Sequence, residues 1–287
     1  MTDSVVVPDA LRQKAEHLRA LHHGDRPLVL ANAWDAASAR LFEEEGFPAV
    51  ATTSAGVAYA WGFPDGEHIT RKQMLESVRR VAAAVSVPVT ADLEAGCGPG
   101  ATAAARAVRD LVAAGAVGLN LEDARGRSRR ALLAAPVHAE RVFAARAAGA
   151  ELGVPVVINA RTDVFDFGGP SSRHVTDAIA RGNVYLDAGA DSVFVPFVRD
   201  RETIAELVRG IHGPVNILAG PGAPSVPELW ALGVRRISIG SGIARAAFGL
   251  ARRAARELHD QGTSELIREW AVSYDEMQRL FSPGRRG

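Results

Sequence analysis

Short apolar runs recur along the chain, each followed by a turn and then a stretch whose apolar positions return every three or four residues. The runs at 27–33, 49–54, 88–95, 118–123, 155–163, 192–197, 214–220 and 235–242 predict strands. Several are apolar almost throughout, as expected when both faces of a strand are covered. Segments such as 69–85 and 101–116 carry the helical period instead. Gly and Pro punctuate the joins, as in "VPV", "GPV" and "DAGADS". Eight strand-then-helix units predict an α/β fold, a parallel (β/α)8 barrel of the TIM type, with a doubly wound open sheet as the competitor.

The position of the polar groups favours the barrel. Asp35, Ser54, Asp92, Glu94, Glu122, Arg161, Asp163, Asn216 and Ser241 fall at or just after predicted C-terminal strand ends, whereas Pro, Val and Ala occupy the N-terminal ends. A barrel gathers such groups at one mouth. The whole chain, 1–287, reads as one barrel domain. Its first segment, 1–24, contains a helix expected to close the far end, and 243–283 contributes two helices. The apolar stripe Leu266, Ile267, Trp270, Met277, Leu280 and Phe281 needs a partner surface, such as a neighbouring subunit.

Composition narrows the function classes. Equal numbers of acidic and basic residues, with no basic block, argue against nucleic acid as a partner. No apolar run reaches the roughly 20 residues of a membrane span. The N-terminal segment lacks the charged and apolar regions of a secretory signal, and the single cysteine, Cys97, suits a reducing compartment. A cytoplasmic location is expected. The only lysines, Lys14 and Lys72, fall in predicted helices, which argues against Schiff-base chemistry at a strand end. A Gly-x-Ser-x-Gly elbow and a Walker loop are missing from the sequence.

The acidic residues suggest a metal. Asp92 and Glu94 share one face at the end of the third predicted strand, Glu122 and Asp123 end the fourth, and Asp65 follows the second. Carboxylates on neighbouring strands without a nearby lysine suit Mg2+, with Mn2+ as a substitute, partly hydrated and completed by substrate oxygens. No His or Cys set has zinc spacing. The alternative for these acids is pairing with arginines or capping helices, and Asp123 is read that way. Arg161 is a candidate to grip a substrate carboxylate or phosphate; its alternative is a pair with Asp163 or Glu122. Ser54, Ala55 and Gly56 offer a hydroxyl and backbone N–H groups to an oxyanion. "SIGSG" at 238–242 reads as a phosphate cradle or simply a tight helix start.

In order and spacing, "LANAWDAASARLFEEEGFPAVATTSAGVA", "TADLEAGCG", "GLNLED", "INARTD", "LAGPG" and "SIGSG" resemble the isocitrate lyase/phosphoenolpyruvate mutase superfamily over about residues 25 to 260. The resemblance implies a (β/α)8 barrel, a homodimer or homotetramer with its last helix often exchanged, and Mg2+ held largely through water. It implies a small anionic 2-oxo or 2-hydroxy acid, or a phosphonate, reacting through a pyruvate-like enolate. Ser54 and Gly56 would contact carboxylate and enolate oxygens. Asp65, Asp92, Glu94 and Glu122 would form the metal shell, Arg161 would hold the carboxylate, and Asp35 would support the site.

Two departures stand out. The superfamily's lyases carry a Cys in a Lys-(Lys/Arg)-Cys-Gly-His loop after strand four, and its mutases an Asn there; "DARGRSRRALLAAPVHAERV" has neither. Glu94 also stands where relatives usually have Asp. Cys97, His138 and His68 are the candidate replacement acids, each with the alternative of a passive loop residue. The arginines of 125–130 would close over an anion or form a solvated loop. The leading expectation is a Mg2+-dependent lyase that cleaves a C–C bond of a small 2-hydroxy or 2-oxo (di)carboxylate. Phosphonomutase or phosphonopyruvate hydrolase chemistry, and a catalytically silent barrel kept for binding or assembly, are the alternatives.

Overall fold

The computed structural model describes residues 9–94, 98, 100–124, 131–167 and 171–282. Nine parallel strands form the sheet: β1 (Leu28–Leu30), β2 (Asn32–Ala33), β3 (Val50–Thr52), β4 (Val89–Asp92), β5 (Gly118–Glu122), β6 (Val157–Arg161), β7 (Ser192–Val195), β8 (Val215–Leu218) and β9 (Arg236–Ser238). Their order, β1-β9-β8-β7-β6-β5-β4-β3-β2, bends the ladder into a nearly closed (β/α)8 barrel. β1 and β2 are one strand interrupted at Ala31, so the segment expected as 27–33 pairs first with β9 and then with β3. Asn32 explains the interruption. Its side-chain oxygen accepts from the N–H groups of Ile239 and Gly240, both at 2.9 Å, while its amide nitrogen donates to the Thr52 carbonyl at 3.0 Å. A side chain thus replaces the backbone ladder at the seam.

Around the sheet lie α1 (Asp9–Leu21), α2 (Ala36–Glu44), α3 (Ser54–Ala60), α4 (Arg71–Ala84), α5 (Ala101–Ala113), α6 (Ala135–Glu151), α7 (Ser172–Asp187), α8 (Arg201–Gly210) and α9 (Val226–Ala231). Caps fix where several begin. Asp35 accepts from the Ser38 N–H at 2.7 Å to start α2, and Thr70 with Gln73 closes a capping box on α4. α1 seals the floor. A Cβ on Gly118 would sit 2.8 Å from a Leu18 methyl, so a bare backbone there admits the helix. The expected second C-terminal helix is two, α11 (Glu265–Trp270) and α12 (Tyr274–Phe281), which follow α10 (Gly242–Gln261). Ser273 caps α12 by accepting from the Glu276 N–H, which ends the preceding helix early.

Val, Leu, Ile and Ala fill the layer between strands and helices. The barrel's inside is polar instead. Asn159 donates to Asn120 at 2.8 Å, and Ser192 donates to Asn159 at 2.7 Å. Arg236 on β9 reaches Asn120 on β5 at 3.5 Å, and because these strands are not neighbours the contact crosses the lumen. Branched apolar residues usually fill this space. No helix of the described residues is long and apolar enough to cross a membrane.

Candidate active site

Strand ends β3 to β6 supply the mouth. Ser54, buried at the first turn of α3, donates its hydroxyl to Asp92 Oδ2 at 3.0 Å, and its N–H lies 3.5 Å from the same oxygen. The Asp92 N–H donates to Thr52 Oγ1 at 3.0 Å, and the Glu94 N–H to Asp92 Oδ1 at 3.3 Å. Asp92 is therefore fixed from three sides. Glu94 is buried, with a left-handed backbone (φ 55°) that ends the strand's alternation. A non-glycine residue in that region carries strain, a feature common at functional sites.

Two strands further on, at the end of β6, Arg161 is buried between two acids. Its Nη1 lies 3.2 Å from Glu122 Oε2; Nη2 and Nε lie 2.7 and 2.8 Å from Asp163 Oδ1, and the guanidinium sits 5.6 Å from the Phe194 ring centre. Burial works against the cation, but Glu122, Asp163 and Asp92 outweigh it and raise its pKa. Both pairings weighed from the sequence are present. Since a guanidinium has five N–H donors, this geometry leaves donors for a ligand.

Asp123 is structural. It accepts from Tyr185 Oη at 2.7 Å, from the Asp163 N–H at 3.0 Å and from Arg181 at 3.2 Å, while its carbonyl accepts from the Leu133 N–H. Burial raises its pKa despite those donors. With the Ala124–Leu132 bridge it pins both ends of the connection after β5.

Other expected residues sit differently. His138, expected in a mouth-side loop, lies in the first turns of α6 and is fully buried. Its Nδ1 is 2.9 Å from Arg141 Nη1 and its ring stacks edge-on against Tyr185. Burial, then the Arg141 charge, lowers its pKa to about 3, so at neutral pH it has no ring proton beyond the neutral tautomer's to give. Arg141 in turn donates to the Glu122 carbonyl at 2.8 Å, a buried support for the strand end that the periodicity did not single out. Asn216, expected at the rim, is the second residue of β8, wholly buried beside Arg236 in the register. The amides of 239 and 240 in the expected phosphate cradle already donate to Asn32. Gly56 donates to Thr53 Oγ1 at 3.4 Å, and a Cβ there would lie 2.6 Å from the Thr53 methyl. Ala55 is buried beside it, Asp65 is half-buried in the turn after α3, and His68 is exposed. Cys97 and the arginines of 125–130 lie outside the described residues.

The donor set fits a hard ion. Among the described residues no Arg, Lys or His nitrogen makes an ion pair with Asp92, whose oxygens are held only by N–H and O–H groups. No three His, Cys, Asp or Glu side chains among them cluster closely enough to enclose an ion unaided. That arrangement suits an ion that keeps water and borrows ligand oxygens.

Comparison with known proteins places the chain among similar folds and sequences. The family model for phosphoenolpyruvate phosphomutase matches residues 18–259. A Burkholderia cenocepacia J2315 structure, provisionally classed as a lyase/mutase, superposes with a TM-score of 0.89 at 40% identity, covering 96% of this chain and 99% of that one. An oxaloacetate decarboxylase of Bradyrhizobium sp. (strain ORS 278) is 31% identical over 234 residues, 79% of this chain and 78% of its own length. A phosphonopyruvate hydrolase solved with oxalate and Mg2+ gives a TM-score of 0.81 at 26% identity, covering 93% and 94% of the two chains.

Proposed function

The chain belongs to the phosphoenolpyruvate phosphomutase family, among the isocitrate lyase/PEP mutase-type enzymes, and from that premise we propose a divalent-metal-dependent carbon–carbon lyase. Its substrate is a small 2-hydroxy or 2-oxo (di)carboxylate that breaks down through a pyruvate-type enolate. One observation carries this reading: Asp92, oriented by Ser54 and free of ion pairs among the described residues, shares the mouth with the held cation Arg161, whose charge it helps to favour. The site thus offers one fixed positive group for a carboxylate and anionic oxygens for a metal.

Asp92 and Glu94, with Glu122, would hold Mg2+ or Mn2+. The ion would supply positive charge to the oxygens on which negative charge develops as the bond to C3 breaks. Arg161 orients the carboxylate through its remaining donors. Glu122 and Asp163 stop the guanidinium from swinging. Ser54 would hold Asp92 in place for the ion, and the Phe194 ring lies against the Arg161 guanidinium. Asp65 is assigned to the same metal shell through water, and Ala55 with Gly56 to the ligand's oxygens.

Phosphorus–carbon chemistry is the second reading, favoured by the likeness to phosphonopyruvate hydrolase. Purified protein with Mg2+ should release pyruvate or glyoxylate from a panel of 2-hydroxy and 2-oxo acids. Phosphorus NMR of a phosphonopyruvate incubation separates the readings, since conversion there with no carbon–carbon cleavage elsewhere would overturn the first. We also propose that the enzyme works as a homodimer or homotetramer, because Phe248, Leu258, Ile267 and Trp270 stand exposed on α10 and α11.

A further inference from the structure

Arg236 is among the largest fully buried side chains, 1% exposed, at the start of β9 inside the barrel. No carboxylate of the described residues pairs with it. Its Nη1 faces His22 Nε2 at 3.3 Å and its Nη2 faces Asn120 Oδ1 at 3.5 Å; its Nε has no hydrogen-bond partner among the described residues. His22 Nδ1 donates to the Leu18 carbonyl at 2.8 Å, which leaves Nε2 as a neutral acceptor. The Asn216 Nδ2, one strand away in register, also lacks an acceptor. The floor beneath the site is therefore rich in donors and carries a cation with no local counter-charge. Burial lowers the Arg236 pKa to about 9, against Asp191 and Asp92, so it stays charged at neutral pH. Of those two acids, Asp191 is already paired with Arg19 and Arg146. Asp92 is not.

We propose that Arg236 is a positioning residue whose buried charge, acting up the barrel axis, balances Asp92 and draws the anionic substrate into the mouth. The inference rests on the enolate-site reading above. Arg236 lies below the rim by three or four residues of strand rise, on the order of 10 Å. Across that distance, at an effective dielectric near 20, one charge changes the affinity for an anion roughly tenfold. The alternative role is mechanical, with Arg236 merely anchoring His22 and α1.

Calorimetric titration of oxalate in the presence of Mg2+ separates the two. Arg236→Met should weaken binding roughly tenfold, and the loss should persist at high salt because buried charges are poorly screened. Should that variant fold poorly, the double variant Arg236→Met with His22→Leu removes the cation and its His22 acceptor together, so neither is left unpaired. Arg236→Lys should bind oxalate nearly as well as wild type at pH 6 and approach Arg236→Met towards pH 9, since burial lowers a lysine's pKa. The other charged or titratable groups acting here are His22 in contact with Arg236, His23 and Arg19 near His22, and Asp92 of β4 and Asp191 before β7 acting on Arg236. Wild-type affinity in the folded double variant, or an Arg236→Lys as weak at pH 6 as Arg236→Met, overturns the proposal and leaves the site reading standing. A wild-type protein that binds no oxalate overturns both.

Discussion

Two buried histidines should make the fold sensitive to acid well before its carboxylates protonate. His22 and His138 both have pKa values lowered from 6.5 to about 3, by burial first and then by Arg236 and Arg141 respectively. In the unfolded chain each returns to an ordinary value, so between pH 6.5 and about 3 the unfolded state binds more protons. The depressed folded pKa means that the stabilisation is fully present above pH 6.5 and is lost as pH falls. Each histidine contributes about 1.4 kcal/mol per pH unit, hence about 2 kcal/mol at pH 5 and about 4 kcal/mol for the pair. Against a total stability of roughly 5–15 kcal/mol, that is enough to shift the unfolding midpoint strongly. The assay is urea unfolding at half-unit steps from pH 7.5 to 4.5. His138→Gln retains an acceptor for Arg141 and should remove one proton from the slope, and His22→Gln the other. A double variant whose stability falls with pH as steeply as the wild type's would refute the reasoning.

Other perturbations follow from the site. Arg161→Met leaves Glu122 and Asp163 buried without their cation and should cost about 3–5 kcal/mol in urea unfolding; an unchanged midpoint would mean the two acids share a proton or another partner. Ser54→Ala removes the 3.0 Å bond to Asp92, a hydrogen bond to a charged group worth about 1.5–3 kcal/mol, and should lower the urea midpoint accordingly and weaken oxalate binding with Mg2+; an unchanged midpoint and affinity would mean that Ser54 does not orient Asp92. Trp270→Glu with Ile267→Glu should shift the sedimentation coefficient to that of a monomer. An unshifted value would place the subunit contact elsewhere.

Much of this was legible in the sequence, for identifiable reasons. Strand count and polarity come through because each βα unit repeats an apolar run, a turn and a 3.6-residue period. Ser54, Asp92, Glu122 and Arg161 stand out by their place at the ends of apolar strands, although the same place also holds the structural Asp123. The split at Ala31 does not come through, since nothing in the pattern shows that the Asn32 side chain will take two amides just past the adjacent β9. Asn216 was read by position along a strand and Arg236 was not singled out, because inward-facing residues alternate in the same way at the floor and at the rim. His138 looks like a loop residue because Pro136 precedes it, but proline is well placed in a helix's first turn.

On the proposed reading, carboxylate oxygens at the barrel mouth hold a divalent ion together with an enolate-like ligand. Electron paramagnetic resonance of Mn2+ titrated into the protein with oxalate tests it most directly. A bound-ion spectrum that saturates at one ion per chain, and is lost in Asp92→Ala, is expected. A free-ion spectrum from the wild type, or an Asp92→Ala protein that binds as tightly, would contradict it.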